Sequence, residues 1–403
     1  MGEEMHEKKR VPAIRFAGFT EPWEQRELGN FIIEYTEVTT ENNQYPALTS
    51  SRKGIFLQAD YFSGNQIASE DNTGYNIVPY GYFTYRHMSD DEIFYFNINN
   101  IVENGIVSTL YPVFTTNIEL DSKYLQYQLN HGYEFAKFAR LQKQGGSRTY
   151  MYLNKLKKLR ITIPLSVKEQ KSISKILLEL DRIITLHQRK CDALKKVKKS
   201  LLQKMFPKEG SVVPEIRFAG FTEAWEQRKL EDIFKEYSEK NHAELPPLTI
   251  IQGQGTILRN KSDRHLSYDK ESLSGYKFVK KGDFIVHLRS FEGGLEIAKS
   301  DGIISPAYHT LHSDVANSNF YYPYFRSHNF INNKLKNCVY GIRDGKSINL
   351  QEMKKIKISY TNIREQECIA KIFTNMDNLI TLHQRKLDQL KTIKKSLLQQ
   401  MFV

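Results

Sequence analysis

Side chains able to hold a nucleic acid gather in a few short stretches of this sequence. SSRKG (Ser50–Gly54) and QGQGTILRNK (Gln252–Lys261) each follow a Pro-x-Leu-Thr beat and combine glycine turns with Arg52, Lys53, Gln252, Gln254, Arg259 and Lys261, and Arg264 follows just downstream. Arginine grips guanine and glutamine grips adenine through paired hydrogen bonds in the major groove. Lysines and backbone amides hold phosphates. QGGSRTY (Gln144–Tyr150) and YGIRDGKS (Tyr340–Ser347) occupy matching places ahead of two long helical stretches and offer Arg148, Arg343 and Lys346. Tyr85, Arg86 and His87 form an aromatic-basic cluster, and Arg289 sits within HLRSF. Any one of these loops also reads as an ordinary solvated turn. Their recurrence at matching positions supports the joint reading. The formal net charge of +12, from 58 Lys and Arg against 46 Asp and Glu, points the same way, to an anionic partner.

Catalytic motifs fail on inspection. GIRDGKS (Gly341–Ser347) has one residue too few between its glycines for a phosphate-binding loop, and GQGTIL (Gly253–Leu258) puts Leu258 where a dinucleotide loop needs its third glycine. There is no HExxH, paired CxxC or GxSxG. A methyltransferase's glycine-rich loop and Asn-Pro-Pro-aromatic box are missing too, the nearest approach being Leu245-Pro246-Pro247-Leu248. The expectation is a chain that is not an enzyme, with no catalytic residue, metal or cofactor of its own. Cys191, Cys338 and Cys368 lack metal-ligand spacing and suit a reducing, cytoplasmic setting. No apolar run approaches the ~20 residues of a membrane span, and MGEEMHEKKR reads as a polar tail rather than a signal peptide.

The elements that must position these loops are written twice. VPAIRFAGFTEPWEQREL (Val11–Leu28) is echoed by VPEIRFAGFTEAWEQRKL (Val213–Leu230), and ITLHQRKCDALKKVKKSLLQKMF (Ile184–Phe206) by ITLHQRKLDQLKTIKKSLLQQMF (Ile380–Phe402). Between these brackets the likeness nearly vanishes. Free drift would have blurred brackets and fillings alike, so the brackets carry one common task and the fillings two different ones. The fillings, 28–163 and 230–360, read as mixed α/β domains of one fold. VPYGYFTYRHM and YKFVKKGDFIVHLRS are β-rich stretches broken at Gly81 and Gly282, and YLQYQLNHGYEFAKFARLQ and YYPYFRSHNFINNKLKN are helical in matching places.

Each closing bracket predicts a long helix. Between Glu169 and Phe206 there is no Pro or Gly, and apolar residues recur at Ile173, Ile176, Leu177, Leu180, Ile183, Ile184, Leu194, Val197 and Leu201. The second copy repeats the stripe at Ile369, Ile372, Phe373, Met376, Leu379, Ile380, Leu390, Ile393 and Leu397. This is the heptad pattern of helices packed lengthwise. Such a helix is roughly 55 Å long, whereas the connecting PKEGSV reaches only about 20 Å. The second helix therefore returns along the first, antiparallel and related by a pseudo-twofold axis. The first dodecamer should lie beside the tip of helix two in space, as the second follows the tip of helix one in sequence. Ile173, Leu180, His187, Leu194, Leu201, Ile369, Met376, His383, Leu390 and Leu397 are the expected seam. His187 and His383, at equivalent positions near mid-helix, either face each other or turn to solvent within the polar LHQRK step.

This frame of PxIRFxGFTExWEQRxL openings and ITLHQRKxDxLKxxKKSLLQxMF closings closely resembles the specificity subunit of type I restriction-modification systems, over almost the whole chain. The resemblance implies two tandem α/β (α+β) target recognition domains joined by a long antiparallel two-helix coiled coil. It divides the chain into a tail (1–10), recognition domain 1 (11–164), spacer helix 1 (165–206), a linker (207–212), recognition domain 2 (213–361) and spacer helix 2 (362–403). It implies double-stranded DNA as ligand, read as a split site. Two methyltransferase subunits binding S-adenosylmethionine are implied as partners, with restriction subunits using ATP where the system has them. GIISPAY (Gly302–Tyr308) resembles a motif of the recognition-domain core, from which the first domain departs at the corresponding stretch. Rival readings are a self-contained modification or nicking enzyme, which a methyl-transfer or cleavage assay on the isolated chain would reveal, a plain scaffold, which a DNA footprint without sequence preference would favour, and an RNA-binding protein with tandem domains.

Overall fold

The computed structural model of the chain describes residues 11–64, 68–143, 146–262, 270–341 and 346–402. Two compact units emerge, one formed by Met1–Leu186 with Leu387–Val403, the other by His187–Lys386. The long helices run Val167–Lys204 and Ile363–Met401, so each unit holds one filling, the start of one helix and the end of the other.

The fillings share a topology. In unit 1 an antiparallel sheet has the order Ile32–Tyr35, Val113–Thr116, Phe83–Thr84, Asn97–Ile98, and in unit 2 the order is Lys235–Tyr237, His309–His312, Phe284–Val286, Glu296–Ile297. Each adds a hairpin after the Pro-x-Leu-Thr beat, Leu48–Ser51 with Gly54–Leu57 and Leu248–Ile251 with Gly255–Leu258. A further strand pair joins Asn76–Pro79 to Asn104–Val107, and Lys277–Val279 to Gly302–Ile304. Gly81 and Gly282, with φ of 88° and 95°, turn the chain between strands, a conformation that L side chains rarely adopt. The helical stretches are broken: Gly132 separates Ser122–His131 from Tyr133–Leu141, and in unit 2 Ser318–Phe325 gives way to short π and 3-10 turns over Phe330–Cys338.

One correction concerns the core motif. Gly105 pairs with Val78 as Gly302 pairs with Val279, so GIVSTLY (Gly105–Tyr111) is the counterpart of GIISPAY. A Cβ on either glycine would meet the Leu of the Pro-x-Leu-Thr beat, at 2.3 Å from Leu48 Cδ1 and 2.6 Å from Leu248 Cγ. The first domain thus departs only in its interior residues, which do not make this close approach.

The repeated dodecamer is a clamp. Arg15 donates two hydrogen bonds to Glu169, Nε to Oε1 at 2.7 Å and Nη2 to Oε2 at 2.8 Å, and the Trp23 indole adds a third at 3.2 Å. Arg217 and Trp225 treat Glu365 likewise, at 2.6, 2.9 and 3.0 Å. Both glutamates lie buried in the first turn of a long helix. The adjoining Gln170 and Gln366 are also buried and accept from the backbone N–H of Asp121 and Asn317, the caps of the helices that follow. The same segment receives the tip of the other helix: Ile14 N–H donates to Gln400 O at 3.0 Å, and Ile216 N–H to Lys204 O at 2.9 Å. Met401 and Phe402 complete the core of unit 1, with Phe402 tilted on Tyr124 at 5.5 Å. Met205 and Phe206 do the same in unit 2, with Phe206 stacked on Phe320 at 4.9 Å. Fully burying a side chain of this kind contributes about 1.5–3 kcal/mol.

Within each unit the helix segments run antiparallel. Lys394 Nζ reaches Asp181 at 2.5 Å in unit 1, and its equivalent Lys198 reaches Asp377 at 2.6 Å in unit 2. Ile173, Ile369, Met376 and Leu390 are buried, while Leu180, Leu194, Leu201 and Leu397 are half-buried. Cys191 and its equivalent Leu387 are wholly buried, although the sequence marks neither as seam. Conversely Ile176, Ile183, Val197, Leu379 and Ile393 of the apolar stripe are exposed. A two-helix seam is narrower than an a/d/e stripe, so the outer residues stay uncovered.

His187 Nδ1 lies 3.0 Å from His383 Nδ1, with the rings tilted at 50°. One ring must donate and the other accept, so the accepting ring must be neutral and the contact is lost when both are charged. Partial burial, then the charges of His383, Lys386 and Lys190, hold His187 below its ordinary pKa. The unfolded chain therefore binds that proton first as pH falls, and stability present above about pH 6.5 declines below it. Thermal melting between about pH 8 and 5 should show a shallower acid loss in H187L/H383L than in the wild type. An unchanged profile contradicts the pairing.

Candidate nucleic-acid interface

Both candidate surfaces are built on the hairpin that follows the Pro-x-Leu-Thr beat. Leu48 and Leu248 anchor it in the core, and the turn projects outward. In unit 1 that turn is Ser51-Arg52-Lys53-Gly54, with both basic side chains exposed. Arg52, Lys53, Tyr61, Arg86, Tyr95 and Tyr111 line one cleft beside it. Asp90 lines this cleft too, and pairs with Arg148 Nε at 2.9 Å. Asp91 pairs with Arg52. That guanidinium, with the Ser89 hydroxyl, holds the Asp91 carboxyl well below the usual carboxylate range.

Tyr85 does not belong here. It is fully buried, tilted on Phe96 at 4.5 Å, and its hydroxyl donates to Met151 O at 2.9 Å. Tyr85, Arg86 and His87 form the irregular link between the strands Phe83–Thr84 and Met88–Ser89, and there Arg86 faces water while Tyr85 and His87 are buried.

In unit 2 the turn is Gln252-Gly253-Gln254, both amide side chains exposed. Gln252 lies against Gly293, where a Cβ would come within 1.8 Å of its Nε2. This places it near exposed Arg289, which opens the short helix Ser290–Gly293. Arg259 lies with its guanidinium 5.5 Å from the Tyr276 ring centroid and donates to the Tyr276 hydroxyl at 3.3 Å. Lys261 and Lys346 are exposed. Arg264 and Arg343 lie outside the described residues.

Sequence reading missed what holds each turn. Asn97 and Glu296 occupy the same register position, paired with Thr84 and Ile285 respectively. Asn97 donates its amide to Ser50 Oγ at 2.8 Å and Ser51 O at 2.9 Å. Glu296, wholly buried, instead accepts from the N–H groups of Gly253 at 2.7 Å and Gly255 at 3.0 Å. Tyr322 donates to it at 2.7 Å, and Arg326 pairs with it and supplies the counter-charge. Burial and that carboxylate push the Tyr322 phenol up, so it remains a donor. Only the three-residue turn leaves two inward N–H groups, and only an acceptor can hold them. An isolated buried Asn or Glu in a short strand gives no periodic signal, so the pins are legible only from the pairing.

Among the described residues no group of three or more His, Cys, Asp or Glu could hold a metal ion, and no helix is long and apolar enough to cross a membrane.

Residues 21–196 and 222–392 each match the type I restriction modification DNA specificity domain. Over 290 residues the chain is 26% identical to a Methanocaldococcus jannaschii protein named for the specificity subunit of the MjaX type I restriction enzyme, covering 70% of this chain and 67% of that one. It is 25% identical over 317 residues to the MjaVIII specificity subunit of the same organism, covering 73% of each. The crystal structure of a type I restriction-modification S subunit from M. genitalium superposes with a TM-score of 0.61 at 13% identity, covering 98% of this chain and 99% of that one, and so shares the fold.

Removing the Glu296 carboxylate leaves Arg326 half-buried without its partner and two turn N–H groups unsatisfied. E296A should destabilise unit 2 by about 3 kcal/mol and speed amide exchange at Gly253 and Gly255, leaving unit 1 unchanged. Unaltered exchange at those glycines contradicts the pin.

Proposed function

The chain belongs to the family of type I restriction-modification DNA specificity subunits, and we propose that it reads a bipartite, asymmetric DNA site, one half with each unit. It carries out no chemistry itself. The observation that supports this most is a shared frame presenting two unlike turns, Arg52-Lys53 on a donor pin and Gln252-Gly253-Gln254 on an acceptor pin. Guanine-seeking and adenine-seeking side chains read different bases, so the two half-sites differ.

The long helices serve as the spacer in this reading, since each begins in one unit and ends in the other. Exposed apolar side chains recur at equivalent helix positions, Ile183, Leu186 and Ile393 in unit 1 and Leu379, Leu382 and Val197 in unit 2. Twin patches of one composition suit two copies of one partner, the methyltransferase subunit, which brings S-adenosylmethionine. Restriction subunits using ATP complete the assembly where the host has them, and it acts in the cytoplasm, where the DNA is.

Methylation mapping of cells holding this chain with its methyltransferase partner tests the proposal. Replacing residues 28–163 by another filling should change one half-site and spare the other. Inserting matched heptads into both helices should lengthen the unread gap while both half-sites persist. An unchanged gap, or both half-sites altered by one exchange, contradicts it.

A further inference from the structure

The Arg-Lys turn of unit 1 faces a run of three consecutive acidic residues, whereas the carboxylate that meets the Gln-Gly-Gln turn of unit 2 is the buried Glu296, paired with Arg326. Asp90, which lines the cleft, is followed directly by Asp91 and Glu92, and each of the three holds a basic side chain from elsewhere in the unit. Asp90 takes Arg148 at 2.9 Å, Asp91 takes Arg52, and Glu92 takes Lys143 at 2.6 Å. Asp91 is itself fixed in place: Oδ1 also accepts from Ser89 Oγ at 2.8 Å and from the Ile93 N–H at 3.3 Å. In unit 2 the stretch between Phe284 and Glu296 carries Arg289 and the single acidic Glu292. Its turn amides are neutral and lack the charge that draws a guanidinium to phosphate.

A guanidinium on a flexible stem is drawn to every phosphate of a duplex, whatever the sequence, and this attraction supplies nearly all non-specific affinity. We propose that Asp91 is a specificity-determining residue of unit 1. It occupies the Nη2 edge of Arg52 and competes with phosphate for the side chain, while the remaining N–H groups are presented to base edges. Asp90 restrains Arg148 in the same way. A carboxylate near the cleft also repels the DNA backbone, which lowers affinity for all sequences and leaves discrimination to the fewer contacts that a matching half-site adds. Exposed ion pairs of this kind contribute little to folding, so the acidic turn acts on binding rather than on stability.

The inference rests on the reading of unit 1 as a DNA-reading domain. Its test uses the complex of this chain with its methyltransferase partner and two duplexes, one carrying the methylated site found by mapping, the other with the unit 1 half-site scrambled. In D91N the scrambled duplex should bind about 3- to 10-fold more tightly, and its salt dependence should steepen by about one phosphate contact. Preference for the intact site should fall accordingly, and D91E should restore it. D90N should move the same quantities in the same direction through Arg148. E103Q, with the same change in net charge outside the acidic turn, should leave the preference unaltered. Unchanged binding of the scrambled duplex by D91N, an equal effect from E103Q, or equal weakening on both duplexes would overturn the inference. A wild-type complex without preference between the duplexes would overturn the reading of unit 1 itself, which is a separate failure.

Discussion

A buried glutamate in the first turn of each long helix, gripped by an arginine and a tryptophan from a segment some 150 residues away in sequence, is the constraint on which the rest depends. A carboxylate taken out of water is costly unless it is paired with a charge and both oxygens are hydrogen-bonded. Glu169 and Glu365 meet this through a bidentate guanidinium and an indole N–H, a geometry lysine cannot supply. The same clamp segment receives the tip of the opposite helix through Ile14 and Ile216. It therefore closes each unit against both helices, and unit 1 is completed by Leu387–Val403 from the far end of the chain, whereas unit 2 is the continuous stretch His187–Lys386. The dodecamer is written twice because each copy must fit the same two surfaces. Those surfaces, the Glu-Gln pair at one helix start and the Met-Phe pair at the other helix end, are also written twice.

Once the brackets are held by one another, the fillings are free to differ. The hairpin, its leucine anchor and the glycine against it are the same in both units. What changes is the turn and the polarity of its pin. A neutral amide that donates to carbonyls suits a two-residue turn, and a buried carboxylate that accepts N–H groups suits a three-residue one. Such a pair must change together, because a donor facing two N–H groups would leave all of them unsatisfied. One frame can thus carry unlike reading surfaces.

The repeat, the two helices and their antiparallel course are legible in the sequence because they rest on long periodic signals and on the reach of a six-residue connection. The pairing geometry of His187 with His383 follows from the same arithmetic, whereas the solvent-facing alternative within LHQRK could be settled only by side-chain positions. Strand-level detail is harder. Tyr85 carries the same aromatic-basic signature as Arg86 and is buried where Arg86 faces water, a difference of one residue that composition does not show. Cys191 reads as a stray thiol and proves to be seam, because its equivalent Leu387 fills the same place in the other copy. The exposed Ile183 and Leu379 belong to an apolar stripe wider than a helix pair covers, which sequence periodicity alone assigns to the seam.

Hydrogen exchange on a chain ending at Lys386 tests the clamp account most directly, since it removes the part of the second helix that belongs to unit 1 and leaves unit 2 whole. The account predicts that the segments around Trp23 and Tyr124 lose protection, having lost Met401 and Phe402, while those around Trp225 and Phe320 keep theirs. Full protection around Trp23 and Tyr124 in the shortened chain would contradict it.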